Sequence, residues 1–305
     1  MSLLAALVGT FSIVGFDPGT GDLGVAVQSR FFAVGAVVPW VRAGVGAVAT
    51  QAGTNTSFGP RGLDMMAAGR DAPSALQALL AGDTAVSVRQ VGLVDAQGRA
   101  AAHSGSDCMT WAGHRTGTHF TAQGNILSGP QVVEAMAEAF AAGHGDLADR
   151  LLAALRAGQA AGGDRRGMQS AAMCVARANA GYNGWTDRFI DLRVDDHTAP
   201  IDELARLLDL QRRFHARQNP SDPVLLDAEA LPAIRRALRR TGHLGAATGP
   251  DPAALDPATR AALAAFAAAR GLAGEIARSA DDAEYLPPAV FRALQDVTSG
   301  RRPPS

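Results

Sequence analysis

Cysteine is nearly absent. Among 305 residues only Cys108 and Cys174 carry a thiol. Neither has a partner at CxxC spacing or a neighbouring histidine, which excludes a zinc knuckle or a redox dithiol as the organising device. Both read as free, buried thiols of a reducing compartment. Charge imbalance is missing too: the formal net charge is -1, so electrostatics give no reason to expect nucleic acid or an acidic membrane surface as partner. No stretch approaches the roughly 20 apolar residues of a membrane-spanning helix. The run Leu3 to Val8 has no basic flank and is too short for a signal-peptide core, which makes the cytoplasm the expected location. The seven histidines show no HxxxH or HExxH spacing, and Asp195-Asp196-His197 reads as an acidic strand end entering the turn at Pro200. No metal and no other cofactor is therefore expected.

What is present is an ordinary globular composition, 47% hydrophobic and rich in glycine, long enough for a large domain and a small one. From Thr10 short apolar runs alternate with turn-formers. Thr10 to Phe16 and Leu23 to Ser29 flank Asp17-Pro18-Gly19-Thr20-Gly21-Asp22 as a hairpin. Further strands are expected at 36–41, 45–51, 88–95, 99–104, in a segment ending at Asn125, and at 169–177 and 189–194. Helices are expected at 60–68, 72–80, after Gly129-Pro130, at 146–156 and at 201–218, the last with an apolar stripe at Leu204, Leu207, Leu208 and Phe214. Blocks of strands and helix pairs make an α+β layered sandwich, and no GxGxxG follows a strand to suggest a doubly wound sheet. Asn219-Pro220-Ser221-Asp222-Pro223 reads as a linker after a domain over 10–218. Beyond it only short helices are expected, at 228–240, 257–270 and 287–297. Asp256 and Pro257 there form an N-cap and first helical residue. The segment 224–300 thus reads as a small all-α, three-helix domain.

The residue with the most chemical potential is Thr10. A threonine opening a strand is unremarkable in itself. Were the Gly9-Thr10 bond cut, however, the freed α-amine would serve as general base for the threonine hydroxyl, placing nucleophile and base in one residue. Such a site further needs a cation to depress the amine pKa and donors for an oxyanion. In spacing alone the chain weakly resembles proteasome-type sites, and Arg42, on the third or fourth strand element, falls about where that group holds the lysine that lowers the amine pKa. The resemblance implies a fixed charge there, with a salt bridge as the alternative. Gly53, after the strand ending at Gln51, offers a backbone N-H or is simply a turn glycine. Asn125 is either an oxyanion donor or a helix cap. Asp164 and Ser170 are placed to orient the amine, and Arg165 and Arg166 to grip a substrate carboxylate. A solvated loop with a structural ion pair is the competing reading. Ser104-Gly105-Ser106 lacks the strand and helix context of a nucleophile elbow.

Several separated blocks resemble one bacterial family. They are Thr10-Phe11-Ser12-Ile13-Val14; Gly24 to Gly35 (GVAVQSRFFAVG); Val38 to Gln51 (VPWVRAGVGAVATQ); Gln123-Gly124-Asn125; and Gly163-Asp164-Arg165-Arg166-Gly167-Met168-Gln169-Ser170-Ala171. Over about residues 10 to 216 the chain is similar to the domain of unknown function 1028. That family is grouped with N-terminal-nucleophile hydrolases and typically begins with Met followed directly by the Thr of this motif. The resemblance implies a four-layer αββα sandwich with Thr10 as nucleophile, cleaving a C-N amide bond of a small molecule or peptide. Arg30, Gln51 and Gln169 fall in the same blocks and join Arg165 and Arg166 as expected substrate contacts. Here Met1–Gly9 precede the threonine: a propeptide removed at Gly9-Thr10, a start-site artefact, or an extension that stays attached. A homo-oligomer is a modest expectation from N-terminal-nucleophile relatives.

The C-terminal segment, with Leu231, Ile234 to Leu238, Gly242-His243-Leu244, Leu255 to Thr259, Leu263, Phe266 and Leu286 to Leu294, is similar to peptidoglycan-binding-like domains. That similarity implies a peptidoglycan fragment as ligand, against the absence of a visible export signal. Two alternatives to the amidohydrolase therefore stand: a noncatalytic binding or scaffold protein on the same fold, and a cell-wall-associated amidase.

Overall fold

A computed structural model describes residues 9–181, 185–215, 223–245, 254–272, 276–278 and 283–299. Backbone contacts divide the chain into two compact units, Met1–Leu208 and Asp209–Ser305. The first is built from β1 (Thr10–Phe16), β2 (Leu23–Ser29), β3 (Pro39–Arg42), β4 (Gly46–Ala52), α1 (Phe58–Ala67), α2 (Ala72–Ala81), β5 (Arg89–Asp95), β6 (Ala100–Ser104), β7 (Gly113–Gly117) and β8 (Phe120–Asn125). It continues through α3 (Gln131–Ala142), α4 (Leu147–Ala160), β9 (Ser170–Ala176), β10 (Arg188–Val194) and α5 (Pro200–His215), which runs across the boundary between the units.

The strands form two sheets, in order β10-β9-β2-β1-β8-β7 and β3-β4-β5-β6, and every pairing is antiparallel. The hairpin β1–β2 closes as its turn residues dictate. The Asp17 carboxylate accepts the Gly19 amide at 2.8 Å, and Gly21 adopts φ 77, open to glycine at little cost.

Alternation along the strands sorts the core into three apolar clusters. Phe11 and Ile13 of β1 pack with Ala26 and Met173 under Val132, Met136, Phe140, Leu151 and Leu155 of α3 and α4, joined by Ile201, Leu204 and Leu208 of α5. On the opposite face, Val14, Phe16, Val25 and Val27 meet Ala47, Ala49 and Val94 of the four-stranded sheet. The far face of that sheet, with Val48, Val91 and Leu93, is covered by Phe58, Leu63, Met66, Leu76 and Leu79 of α1 and α2. Glycines let the layers approach: a Cβ on Gly24 would lie 2.8 Å from Leu151 Cδ1.

Three expectations need correction. The strand over 36–41 is shorter, because Val34–Ala36 is a 3-10 turn that follows Ala33 at φ 53, and the strand begins only at Pro39. The polar strand β7 was not foreseen: Gly-His-Arg-Thr-Gly has no apolar periodicity and lies at the sheet edge. The third correction concerns the C-terminal unit, which is not all-α. Besides α6 (Ala230–Arg240), α7 (Pro257–Ala268) and α8 (Pro288–Ser299) it holds β11 (Val224–Leu225), β12 (Ala277–Arg278) and β13 (Glu284–Leu286), paired β11-β13-β12. Strands of two or three residues leave no period to read. Phe214 and the linker 219–222 fall outside what can be described of the side chains and backbone.

In that unit Leu231, Ile234, Leu238, Leu263, Phe266, Leu286, Val290 and Leu294 form one cluster. Asp256 caps α7 ahead of Pro257, as its position in the sequence indicates. Bonds from the Thr259 hydroxyl and amide, aided by Arg235 and opposed by burial, hold the Asp256 carboxyl well below the usual carboxylate range. A depressed folded pKa contributes stability that is fully present above the ordinary aspartate value of about 3.9 and is lost as pH falls through the folded value.

Two outcomes follow. Leu151→Ala should lower stability by about 2–5 kcal/mol, seen as a reduced urea midpoint at unchanged slope; an unchanged midpoint would contradict the packing described. Asp256→Ala should weaken α7 by about 1 kcal/mol at neutral pH, measured as faster hydrogen exchange of α7 amides in the full chain, with the difference narrowing in acid. Equal exchange at neutral pH would count against the cap.

Candidate active site

Thr10 begins β1 in register with Ser29 on one side and Asn125 on the other, and it is fully buried. Its hydroxyl donates to Ser29 Oγ at 3.1 Å. Ser29 Oγ in turn donates to the carbonyl oxygen of Gly9, the residue before the threonine. Arg166 Nη2 donates to the same oxygen at 2.9 Å. Two donors, one of them a guanidinium, thus converge on the carbonyl that precedes the buried hydroxyl.

The arginine is tied to a carboxylate of its own loop. Arg166 Nε and Nη2 grip the two oxygens of Asp164 at 3.1 and 2.8 Å, a bidentate pair of the stronger kind. The amides of Arg166 and Arg30 also donate to that carboxylate, which is 3% exposed. The Gly-Gly-Asp-Arg-Arg-Gly loop reaches this shape because Gly163 and Gly167 take φ 52 and 104, values costly for other residues. Leu127 bridges Asp164 and fixes the loop against the end of β8.

Behind Thr10 the space between the sheets is polar. Ser12 Oγ donates to Gln51 Oε1 at 2.7 Å and accepts from Gln123 Nε2 at 2.7 Å. Gln51 Nε2 donates to Gln90 Oε1 at 2.9 Å and lies 3.4 Å from the Thr10 carbonyl. Asn125 Nδ2 donates to the same Gln90 oxygen at 3.0 Å, and Gln90 Nε2 reaches Ser104 Oγ and the Gly124 carbonyl, each at 2.8 Å. All of these groups except Ser104 are 0 or 1% exposed, and bonding of this density is what makes their burial tolerable.

Two strands end in strained backbone here. Ala52, after Gln51, has φ 62, and Ile126, after Asn125, has φ 56. A β-branched residue in the left-handed region is a true outlier, typically costing about 1–3 kcal/mol, and such residues cluster at functional sites. Surrounding bonds impose the conformation on Ile126: its amide donates to Met109 at 3.0 Å and its carbonyl accepts from Arg165 at 2.9 Å.

The expected residues therefore divide. Thr10, Asn125, Asp164, Arg166 and Gln51 come together. Ser170 is in register with Ser29, but its hydroxyl bonds the Phe31 carbonyl and the Val34 amide, so it shapes the 31–34 turn rather than orienting the Thr10 amine. Arg30 braces the loop through the Arg166 carbonyl at 3.1 Å. The Gln169 amide donates to the Ser29 carbonyl while its side chain bonds Asp196. Arg165 is exposed and enters through its backbone.

Arg42 is not at the site. It sits on an edge strand, paired with Asp64 at 3.0 Å, with both side chains largely exposed. The Gly53 amide is not an available donor, since it binds the Val88 carbonyl at 2.9 Å. Its loop is pinned by Arg89, which donates to the Gly53 carbonyl and to Asp83. Ser29, Ser12, Gln90 and Gln123 were missed as site residues. For Ser12 and Gln90 the available signal was a polar residue on an otherwise apolar buried strand, and for Gln123 a wholly polar face, Thr121, Gln123 and Asn125, on a fully buried strand. The thiols are poor competitors as nucleophiles: burial foremost, then Asp191, pushes Cys174 up to about 12, and burial also raises Cys108. Among the described residues no group of three or more His, Cys, Asp or Glu is placed to hold a metal ion, and no helix is long and apolar enough to cross a membrane.

No curated protein matches this sequence. The crystal structure of protein SPO2555 from Silicibacter pomeroyi, assigned to DUF1028, is similar at a TM-score of 0.61 and 33% identity, over 66% of this chain and 88% of that one. The family described as "Family of unknown function (DUF1028)" matches residues 10–204, a span that holds Thr10, Ser29, Asn125, Asp164 and Arg166. With its first matched residue at Thr10 and well over half its length covered, the chain belongs to the DUF1028 family.

Proposed function

We propose that this chain is an N-terminal-nucleophile amidohydrolase, acting through Thr10 once residues 1–9 are removed. The observation that carries the reading is the buried Thr10 hydroxyl at the head of the central strand, next to a preceding carbonyl held by Ser29 and Arg166. Support also comes from the stacking of α3 and α4, the two sheets, and α1 and α2. We read that stacking as the αββα sandwich in which such nucleophiles sit.

In the mature chain the Thr10 α-amine takes the proton of its own hydroxyl as Oγ attacks an amide carbonyl. The amine leaving group departs with that proton, and water cleaves the Oγ ester to regenerate Thr10. Arg166 takes the part first assigned to Arg42: a fixed cation near the amine disfavours its protonated form. The buried amide network holds β1, β4, β5 and β8 at fixed spacing, so that the nucleophile does not have to be positioned during the reaction. The C-terminal unit is then an accessory binding module.

Intact mass and N-terminal sequencing of protein expressed from the full reading frame test this. The expected chain starts at Thr10, Thr10→Ser still matures, and Thr10→Ala retains residues 1–9 and has no amidase activity. A wild-type chain that keeps Gly9 after prolonged incubation would refute the mechanism.

A further inference from the structure

We infer that Ser29 and Arg166 are the catalytic groups of the cut between Gly9 and Thr10, with Ser29 carrying the proton of the attacking hydroxyl to the carbonyl it attacks; this rests on the reading of Thr10 as nucleophile. The basis is a directed chain of bonds. The Thr10 hydroxyl donates to Ser29 Oγ, and Ser29 donates to the Gly9 oxygen. One serine therefore touches both the nucleophile and the electrophile. Arg166, fixed by Asp164 on two of its nitrogens, supplies the second donor to that oxygen.

The step balances without an external base. Thr10 Oγ bonds to the Gly9 carbonyl carbon, and its proton passes to Ser29 Oγ. Ser29 releases its own proton to the Gly9 oxygen, which receives the carbonyl π pair. The product is a neutral five-membered ring. When the C-N bond breaks, the Thr10 nitrogen takes up a proton as the ring hydroxyl gives one up and reforms C=O, leaving an ester on Oγ. Water then cleaves the ester, releasing residues 1–9 as the Gly9 carboxylate and leaving Thr10 as the chain's new N-terminus with its hydroxyl and α-amine free. Asp164 is a positioning residue: it touches none of the reacting atoms and acts through the Arg166 guanidinium.

The arrangement also accounts for glycine at position 9. A Cβ there would lie 2.4 Å from Arg166 Nη2 and 2.9 Å from the Cβ of Ile126. The Ile126 backbone is bonded on both sides, so the arginine is the group that would yield. A larger residue at position 9 would push the donor off the carbonyl.

The test is a time course of maturation of the full-length chain, made by cell-free synthesis and followed by intact mass. Removing a proton-transfer group typically costs 10²–10⁴ in rate and removing an oxyanion donor about 10²–10³. Ser29→Ala and Arg166→Met should therefore slow cleavage by about 10²-fold or more, Arg166→Lys by less, and Gly9→Ala measurably. Because Ser29→Ala alters a buried site, wild-type maturation is also timed in D2O, where transfer of two protons in one step predicts a slower cut with a proton inventory that requires both. If the wild-type chain matures while Ser29→Ala and Arg166→Met keep its rate, or if D2O leaves the wild-type rate unchanged, this inference falls and the Thr10 reading stands. If the wild-type chain never matures, the Thr10 reading falls first.

Discussion

The backbone of β1 is paired along both edges, to β2 over Thr10–Phe16 and to β8 over Thr10–Gly15. Thr10 cannot move without breaking ladder bonds on two sides, and that constraint organises the site. Because β2 lies on one edge, Ser29 stands opposite the threonine; because β8 lies on the other, Asn125 does. β9 pairs with the outer edge of β2, so the loop that precedes it returns Asp164 and Arg166 to the same end of the sheet. Residues far apart in sequence meet because four neighbouring strands end together.

The space between the two sheets is divided by chemistry. Its half remote from Thr10 is filled by valines, alanines and Phe16, where burial contributes roughly 25 cal/mol for each Å² removed from water. The half behind Thr10 is filled by Ser12, Gln51, Gln90, Gln123 and Asn125. An apolar filling of the same volume would give up less to desolvation, and an incomplete network would cost more than either. What the amides provide is direction: each has a donor end and an acceptor end, so the two sheets hold one register behind the threonine. Some strain remains even so, in the backbone of Ile126 and Ala52 and in the Gln123 Oε1 and Thr121 Oγ1 atoms that are buried without a partner.

Much of this was legible before the structure. Apolar alternation located most strands of the large unit, and turn chemistry identified the hairpin at Asp17–Asp22 and the cap at Asp256. The blocks around Gln123-Gly124-Asn125 and Asp164-Arg165-Arg166 lie at the same end of the six-stranded sheet as Thr10. What failed were assignments that depend on where a side chain turns after the backbone is placed. Arg42 is on the expected strand but faces α1, and Gly53 follows the expected strand with its amide already bonded to Val88. Ser29 was overlooked because one serine ending a strand has no distinguishing pattern; only the register opposite Thr10 makes it notable. The C-terminal strands escaped because strands of two or three residues are too short to show a period.

The central claim is that Thr10 is a nucleophile rather than a strand residue. Its most direct test is to treat the purified chain with a β-lactone that acylates hydroxyls and to map the adduct by tandem mass spectrometry. The account predicts one adduct per chain, on an N-terminal peptide that begins at Thr10, and no adduct on Cys108 or Cys174. An unmodified Thr10 peptide, or labelling spread over surface hydroxyls with Gly9 still attached, would contradict it.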